Sequence, residues 1–191
     1  MLYTRKGDTG ETGIFGCDQR FSKSSMVAEA LGTLDEINSF LGVCKMKKES
    51  TETQLPSAGE GSPAVDSVSE TIEKIQQNLF IVQAEIAGAK KTIDESKVKE
   101  IEEIVDAVEK QLPPVKTFFV SGGSELAALI DFARTLARRA ERRVVSVRDE
   151  GLVEVGPHTL AYINRLSSLL YALARLVNLK SGITEQSPTY E

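Results

Sequence analysis

The stretch Leu160-Ala-Tyr-Ile-Asn164-Arg-Leu-Ser-Ser168-Leu-Leu-Tyr171-Ala-Leu-Ala-Arg175-Leu-Val177 decides the fold class. Ile163, Leu166, Leu170, Leu173 and Val177 recur at three- and four-residue steps, the period of one helix face. Leu169 and Leu176 fall well off that stripe. A helix that is apolar over most of its circumference needs cover on more than one side. Such cover argues for a helical bundle and, beyond it, for an oligomer. Asn164, Ser168, Tyr171 and Arg175 share the remaining face.

Four more helices read upstream. Gly151 and Gly156 mark a loop, and Pro157 suits the first turn of the helix just described, which ends near Lys180. Before it, Ser124 is a candidate N-cap for a helix reaching about Val147. Val98, Ile101, Val105 and Val108 give a helix from about Asp94 to Gln111, stopped by Pro113-Pro114. Ile72, Ile75, Leu79, Val82 and Ile86 give one from about Val68 to Lys90, and Leu31, Leu34, Ile37 and Leu41 one from about Val27 to Lys47. The expectation is an all-α, five-helix antiparallel bundle of ferritin-like type, with no period-two strand pattern. The 191 residues read as a single domain. Residues 1–25 form a loop with Gly7, Gly10, Gly13 and Gly16 at every third position. The Ser-, Glu-, Gly- and Pro-rich segment 48–67 is an exposed flexible loop, and 181–191 is a loose tail.

Composition removes several function classes. The formal net charge is -5, the opposite of a general nucleic-acid binder. No apolar run reaches membrane-spanning length, and the N-terminus lacks a secretory apolar region, so a cytoplasmic protein is expected. Cys17 and Cys44 have no metal-ligand spacing and read as ordinary thiols, and His158 stands alone. No Ser/His/Asp or Cys/His set is available for nucleophilic catalysis.

Against that acidic background stands Arg134-Thr-Leu-Ala-Arg138-Arg139-Ala-Glu141-Arg142-Arg143, with five arginines in ten residues. On a helical wheel Leu129, Ala133, Leu136, Ala140 and Val144 span about 80° and make the core stripe. Arg134, Arg138 and Glu141 converge within about 60° on a neighbouring face, with Arg142 about 40° beyond Arg138, while Arg139 and Arg143 point elsewhere. A solvated charged face is the plain alternative. Small flanking residues leave room for a ligand, and guanidinium forks suit polyphosphate oxygens. A second anion-binding candidate is the loop Thr4-Arg5-Lys6-Gly7-Asp-Thr-Gly10-Glu-Thr12-Gly13, with Lys23 further on. It is not a Walker A loop, because GxxxxGK[ST] is absent. Asp35, beside the first helix's core stripe, suits pairing with an arginine better than acid catalysis.

The segments TRKGDTGETGIFG (4–16), Lys23, EALGTLDEINSFLG (29–42), FFVSGG (118–123), ARTLARRAERRVV (133–145) and YINRLSSLLYALAR (162–175) resemble the PduO-type ATP:cob(I)alamin adenosyltransferases. The match runs in order over nearly the whole chain. It implies a five-helix homotrimer with active sites between subunits, using ATP, Mg2+ and cob(I)alamin. By this resemblance Thr4, Arg5, Lys6, Gly7, Thr12, Gly13 and Lys23 would hold ATP from one subunit. Arg138, Arg139, Glu141, Arg142 and Asn164 would hold it from the neighbour. Arg138 would bind the triphosphate, Glu141 would help position the magnesium–nucleotide, and Asp35 would pair with Arg134 across the interface. Phe118 would occupy the lower face of the corrin and displace its dimethylbenzimidazole ligand. A reductase and a B12-dependent enzyme would be partners. Two features depart from the family pattern: Ser121, where Pro is common, and the Ser/Gly-rich segment 48–67. The rivals are a non-catalytic corrinoid or nucleotide carrier and a purely structural helical oligomer. A di-metal bundle would need paired Glu-x-x-His motifs, which are missing.

Overall fold

The computed structural model describes residues 2–13, 20–47, 53–56 and 66–190. Among these residues five long helices appear, as the apolar periods predict: α1 (Met26–Lys45), α2 (Val68–Ile86), α3 (Glu95–Glu109), α4 (Glu125–Asp149) and α5 (Pro157–Lys180). Their starts are set by side-chain caps. Ser25, Ser67, Asp94 and Ser124 each accept from a backbone N–H in the first turn, and Ser67 and Glu70 complete a capping box. Helix α1 packs between α2 and α4, and α5 packs between α4 and α3.

Helix α5 is the best-covered element. Leu169 and Leu176 are as fully buried as Leu170, Leu173 and Val177. The chain itself therefore covers the off-stripe leucines, and their burial needs no second copy, contrary to the argument from periodicity alone. Large apolar side chains lie exposed elsewhere, Phe80 on α2 and Phe132 on α4 among them.

Helix α5 also starts in an unusual way. Gly156 has no side chain to cap it. The carboxylate of Glu85, from the end of α2, anchors the start of the helix instead. It accepts from the Gly156 N–H at 2.7 Å and from the Thr159 hydroxyl. A negative charge there also opposes the positive end of the helix dipole. A Cβ at residue 156 would meet Glu85 Oε1 at 3.2 Å and Thr92 Oγ1 at 3.0 Å, so glycine fits and larger residues crowd the cap.

Three expectations change. The N-terminal region contains a short antiparallel hairpin, β1 (Glu11–Gly13) and β2 (Arg20–Ser22), with Thr12 opposite Phe21. Three-residue strands are too short to carry a readable period. In the 48–67 segment, Leu55 is buried, its N–H donates to Asp66, and the Val68 N–H donates to Thr53. The ends of that loop are thus closed onto the core, while 48–52 and 57–65 lie outside the described residues. The C-terminal tail is docked as well: Glu185 pairs with Arg175, and the Gln186 carbonyl accepts from the Val120 N–H at 2.8 Å. Cys17 lies outside the described residues. Burial pushes the Cys44 thiol up to about 11, which leaves it inert as an ordinary core group.

Replacing Glu85 with Ala removes the acceptor of the part-buried Gly156 N–H and of the buried Thr159 hydroxyl. The expected loss is about 2–4 kcal/mol in urea unfolding, since each orphaned group costs about 1–3 kcal/mol. An unchanged midpoint would show that water replaces the carboxylate.

Candidate functional site

The first half of the site is a cavity of about 680 Å³ between α4, α5 and the segment 115–122. Arg134 and Arg138, one turn apart on α4, line one wall; Phe118 and Phe119 line another, and Ser168 and Tyr171 of α5 complete the interior. Cationic and apolar surfaces therefore face the same space. Phe118 itself is 78% exposed, a large apolar ring held at the rim.

Rotation along α4 sorts the arginines. Arg139 turns to α1 and pairs with Glu36, and Arg143 pairs with Glu29 at 3.4 Å. The helix thus brings Arg134 and Arg138 to the cavity and takes Arg139 away from it. The Arg142 guanidinium donates to the Arg138 carbonyl at 3.0 Å. Asn164 of α5 donates to Glu141 Oε1 at 2.7 Å, so those two residues form one rung between the helices.

Arg134 has a partner in its own chain. Its Nε donates to Asp131 Oδ1 at 2.6 Å. Burial raises the Asp131 carboxyl, but hydrogen bonds from Arg134 and from the Ser121 hydroxyl outweigh it, and the group lies below its ordinary range. Ser121, standing where a proline is common in the resembled family, places its hydroxyl beside Asp131 of α4. Burial pushes the Tyr171 phenol upward, with nearby Arg175 opposing.

The segment's path is set by Asn178, near the end of α5. Its Oδ1 accepts from the Ser124 N–H, and its Nδ2 donates to the Gly122 carbonyl, each at 3.0 Å. Gly123 has φ +102, and a Cβ there would lie 2.2 Å from Asn178 Oδ1, so only glycine passes. Asp131, Arg175, Asn178 and Glu185 are the site residues that sequence reading missed. An arginine in the last turns of an apolar helix was the available signal, since a buried charge needs a partner.

The second half lies apart. Lys23 Nζ donates to the Gly7 carbonyl at 2.9 Å, folding the Thr4–Gly7 turn onto the hairpin base. Arg20 reaches back to Glu11 and to the Lys6 carbonyl. Arg5, Lys6 and Thr4 remain exposed, and Arg5 has a positive φ of 59. None of these residues lines the arginine cavity. Gly13 and Asp35 instead share a separate opening with Phe80 and Gln83. Within one chain, Asp35 and Arg134 are not brought together. Among the described residues, no group of three or more His, Cys, Asp or Glu could cage a metal ion. No described helix is long and apolar enough to cross a membrane.

The Asp131 pair has a pH signature. Its folded pKa lies below the ordinary 3.8. Its contribution is therefore complete above about pH 5 and is lost as pH falls through the lowered value. The variant Asp131→Asn should be less stable than wild type at neutral pH, and the gap should narrow below about pH 4. A gap that stays constant in acid unfolding curves would assign the acid sensitivity elsewhere.

The family model for cobalamin adenosyltransferases matches residues 2–177. A corrinoid adenosyltransferase from Bacillus subtilis is 37% identical over 186 residues, covering 95% of this chain and 89% of the relative. The corrinoid adenosyltransferase PduO of Citrobacter freundii is 37% identical over 181 residues, and there the match spans 49% of the relative's length. Among solved structures, a variant PduO-type ATP:corrinoid adenosyltransferase from Lactobacillus reuteri, complexed with cobalamin and ATP, superposes with a TM-score of 0.84. It is 29% identical, and the superposition covers 100% of this chain and 97% of that one. The five helices, the family model and these relatives agree, and the chain belongs to the cobalamin adenosyltransferase family.

Proposed function

We propose that the protein transfers the 5′-deoxyadenosyl group of ATP to cob(I)alamin, yielding adenosylcobalamin and triphosphate. One observation carries the reading: Arg134 and Arg138 share a cavity with Phe118 and Phe119. The reaction needs that combination. An apolar surface must hold the corrin, and fixed cations must face the departing triphosphate.

Among the described residues, neither His nor Cys lines this cavity. The chemistry asks for neither. Cob(I)alamin brings its own nucleophile, a reduced cobalt. Cobalt attacks the 5′ carbon, a cobalt–carbon bond forms, and the carbon–oxygen bond to triphosphate breaks. The electron pair of that bond leaves with the triphosphate. Arg138 neutralises the developing charge, and Arg134 supports it from one turn away. The protein's remaining task is alignment, for which rigid helices are suited. Phe118 covers the lower corrin face, excluding water and the dimethylbenzimidazole base.

Separation of the two half-sites supports a homotrimer with each site built between subunits. The hairpin residues Thr4–Gly7, Thr12, Gly13 and Lys23 would present ATP to Arg138, Glu141, Arg142 and Asn164 of a neighbour. Asp35 would join Arg134 across that interface, beside its own-chain partner Asp131. Magnesium prefers phosphate and water ligands with one or two carboxylates, and Glu141 suits that part. In its bound form the ion would screen the triphosphate charge. A cytoplasmic setting fits a reaction that needs a reductase to supply cob(I)alamin and a B12-dependent enzyme to take the product.

Anaerobic adenosylation of cob(I)alamin with Mg-ATP, followed by the cobalamin absorbance change, tests the reading. Wild type should turn over. Arg138→Ala should lose about 10²-fold or more in kcat, the effect of removing one donor from a developing anion. Phe118→Ala should impair adenosylation far more than ATP binding. A wild type that is stabilised by ATP and corrinoid without turnover would instead make the protein a carrier.

A further inference from the structure

Arg175 is 4% exposed, on the stretch of α5 that also buries Leu173, Leu176 and Val177. A charge in such surroundings persists only when it is paired and hydrogen-bonded. Its guanidinium meets the C-terminal segment, the stretch that leads into the cavity rim and two aromatic rings of the cavity lining. Nε donates to Glu185 Oε2 at 2.8 Å, and Nη2 donates to the Pro113 carbonyl at 3.1 Å. The guanidinium carbon stands 4.9 Å from the centre of the Phe119 ring and 5.8 Å from that of Tyr171. Such stacking is favourable and strengthens when desolvated.

The C-terminal segment is tied at three successive points. The Ile183 N–H donates to the Asn178 carbonyl at 2.9 Å, Glu185 takes Arg175, and the Gln186 carbonyl takes the Val120 N–H. Glu185 also lines the cavity. Neither 113–120 nor 183–187 belongs to a helix or strand. Their placement therefore depends on these contacts, because irregular segments have little order of their own.

We infer that Arg175 and Glu185 are positioning residues: they strap the C-terminal segment across the base of the Phe118-Phe119 rim and so set the affinity for the corrinoid. The inference rests on the proposed reading of the cavity as the corrinoid half of the site. It also predicts selectivity between substrates. Arg175 lies eleven residues from Asn164 along α5, about 16 Å at 1.5 Å per residue. Asn164 and Glu141 mark the nucleotide end; Arg175 marks the other.

The test compares Glu185→Ala and Glu185→Gln with wild type by steady-state kinetics and by amide hydrogen exchange. For Glu185→Ala, the KM for cob(I)alamin should rise about tenfold while the KM for ATP stays within about twofold, as loss of one buried partner at one end predicts. Exchange should quicken in 115–122 and 183–187 and remain unchanged in the cores of α1, α2 and α4. Glu185→Gln keeps an oxygen acceptor without the charge and should fall between; it also serves as the folded comparison if the alanine variant is unstable. Equal changes in both KM values, no change in either, or unaltered exchange in 115–122 would overturn the strap. Absence of turnover in wild type would overturn the catalytic reading, and exchange alone would then judge the strap.

Discussion

Helix α5 runs through the molecule with almost no solvent-facing side along its C-terminal half, from Ala172 to Asn178. A buried polar group on it is costly unless another element answers it, and several are answered in that way. Glu85 answers its N-terminus, Glu141 answers Asn164, and Glu185 with the Pro113 carbonyl answers Arg175. Asn178 answers the backbone on either side of Gly123. Of these, Arg175, Glu185 and Asn178 also line the cavity. One requirement, satisfying the polar groups of a buried helix, thus builds both the core and the frame of the site.

The arginine helix works by rotation rather than by charge density. Successive arginines are turned by about 100°, so one run serves two purposes. Arg139 and Arg143 meet acids of α1, in exposed pairs worth about 0–1 kcal/mol each. Arg134 and Arg138 are left for the cavity. Their value lies in placement. Arg134 is oriented by Asp131, Asp131 is held by Ser121, and Ser121 belongs to the segment that carries Phe118. Asp131 thus stands between the cationic wall and the segment that carries the apolar one. A proline at 121 would stiffen that segment through its ring; serine instead sets a hydroxyl beside Asp131.

Much of this was legible in the residues. Five apolar periods located five helices, and Ser124 and Pro157 marked two starts to within a residue. The angular sorting of Arg134 and Arg138 away from Arg139 and Arg143 followed from the wheel. Three things were not legible. The hairpin strands are shorter than any period. Leu55 stands between Gln54 and Pro56 in a mostly polar stretch, with no apolar period around it to signal its burial. The tail read as loose because its partners, Arg175 and Val120, lie on other elements.

Sequence by itself determined what is local: helix positions, caps, the side of each helix that is apolar, and which arginines share a face. Those properties depend on neighbours within about one turn, and the residues carry them directly. Tertiary structure alone decided what covers Leu169 and Leu176, which acid caps Gly156, and where Glu185 comes to rest. These are contacts between residues far apart in the chain. Any of several apolar surfaces or carboxylates would satisfy the same local pattern, so only the packing of the whole core selects among them.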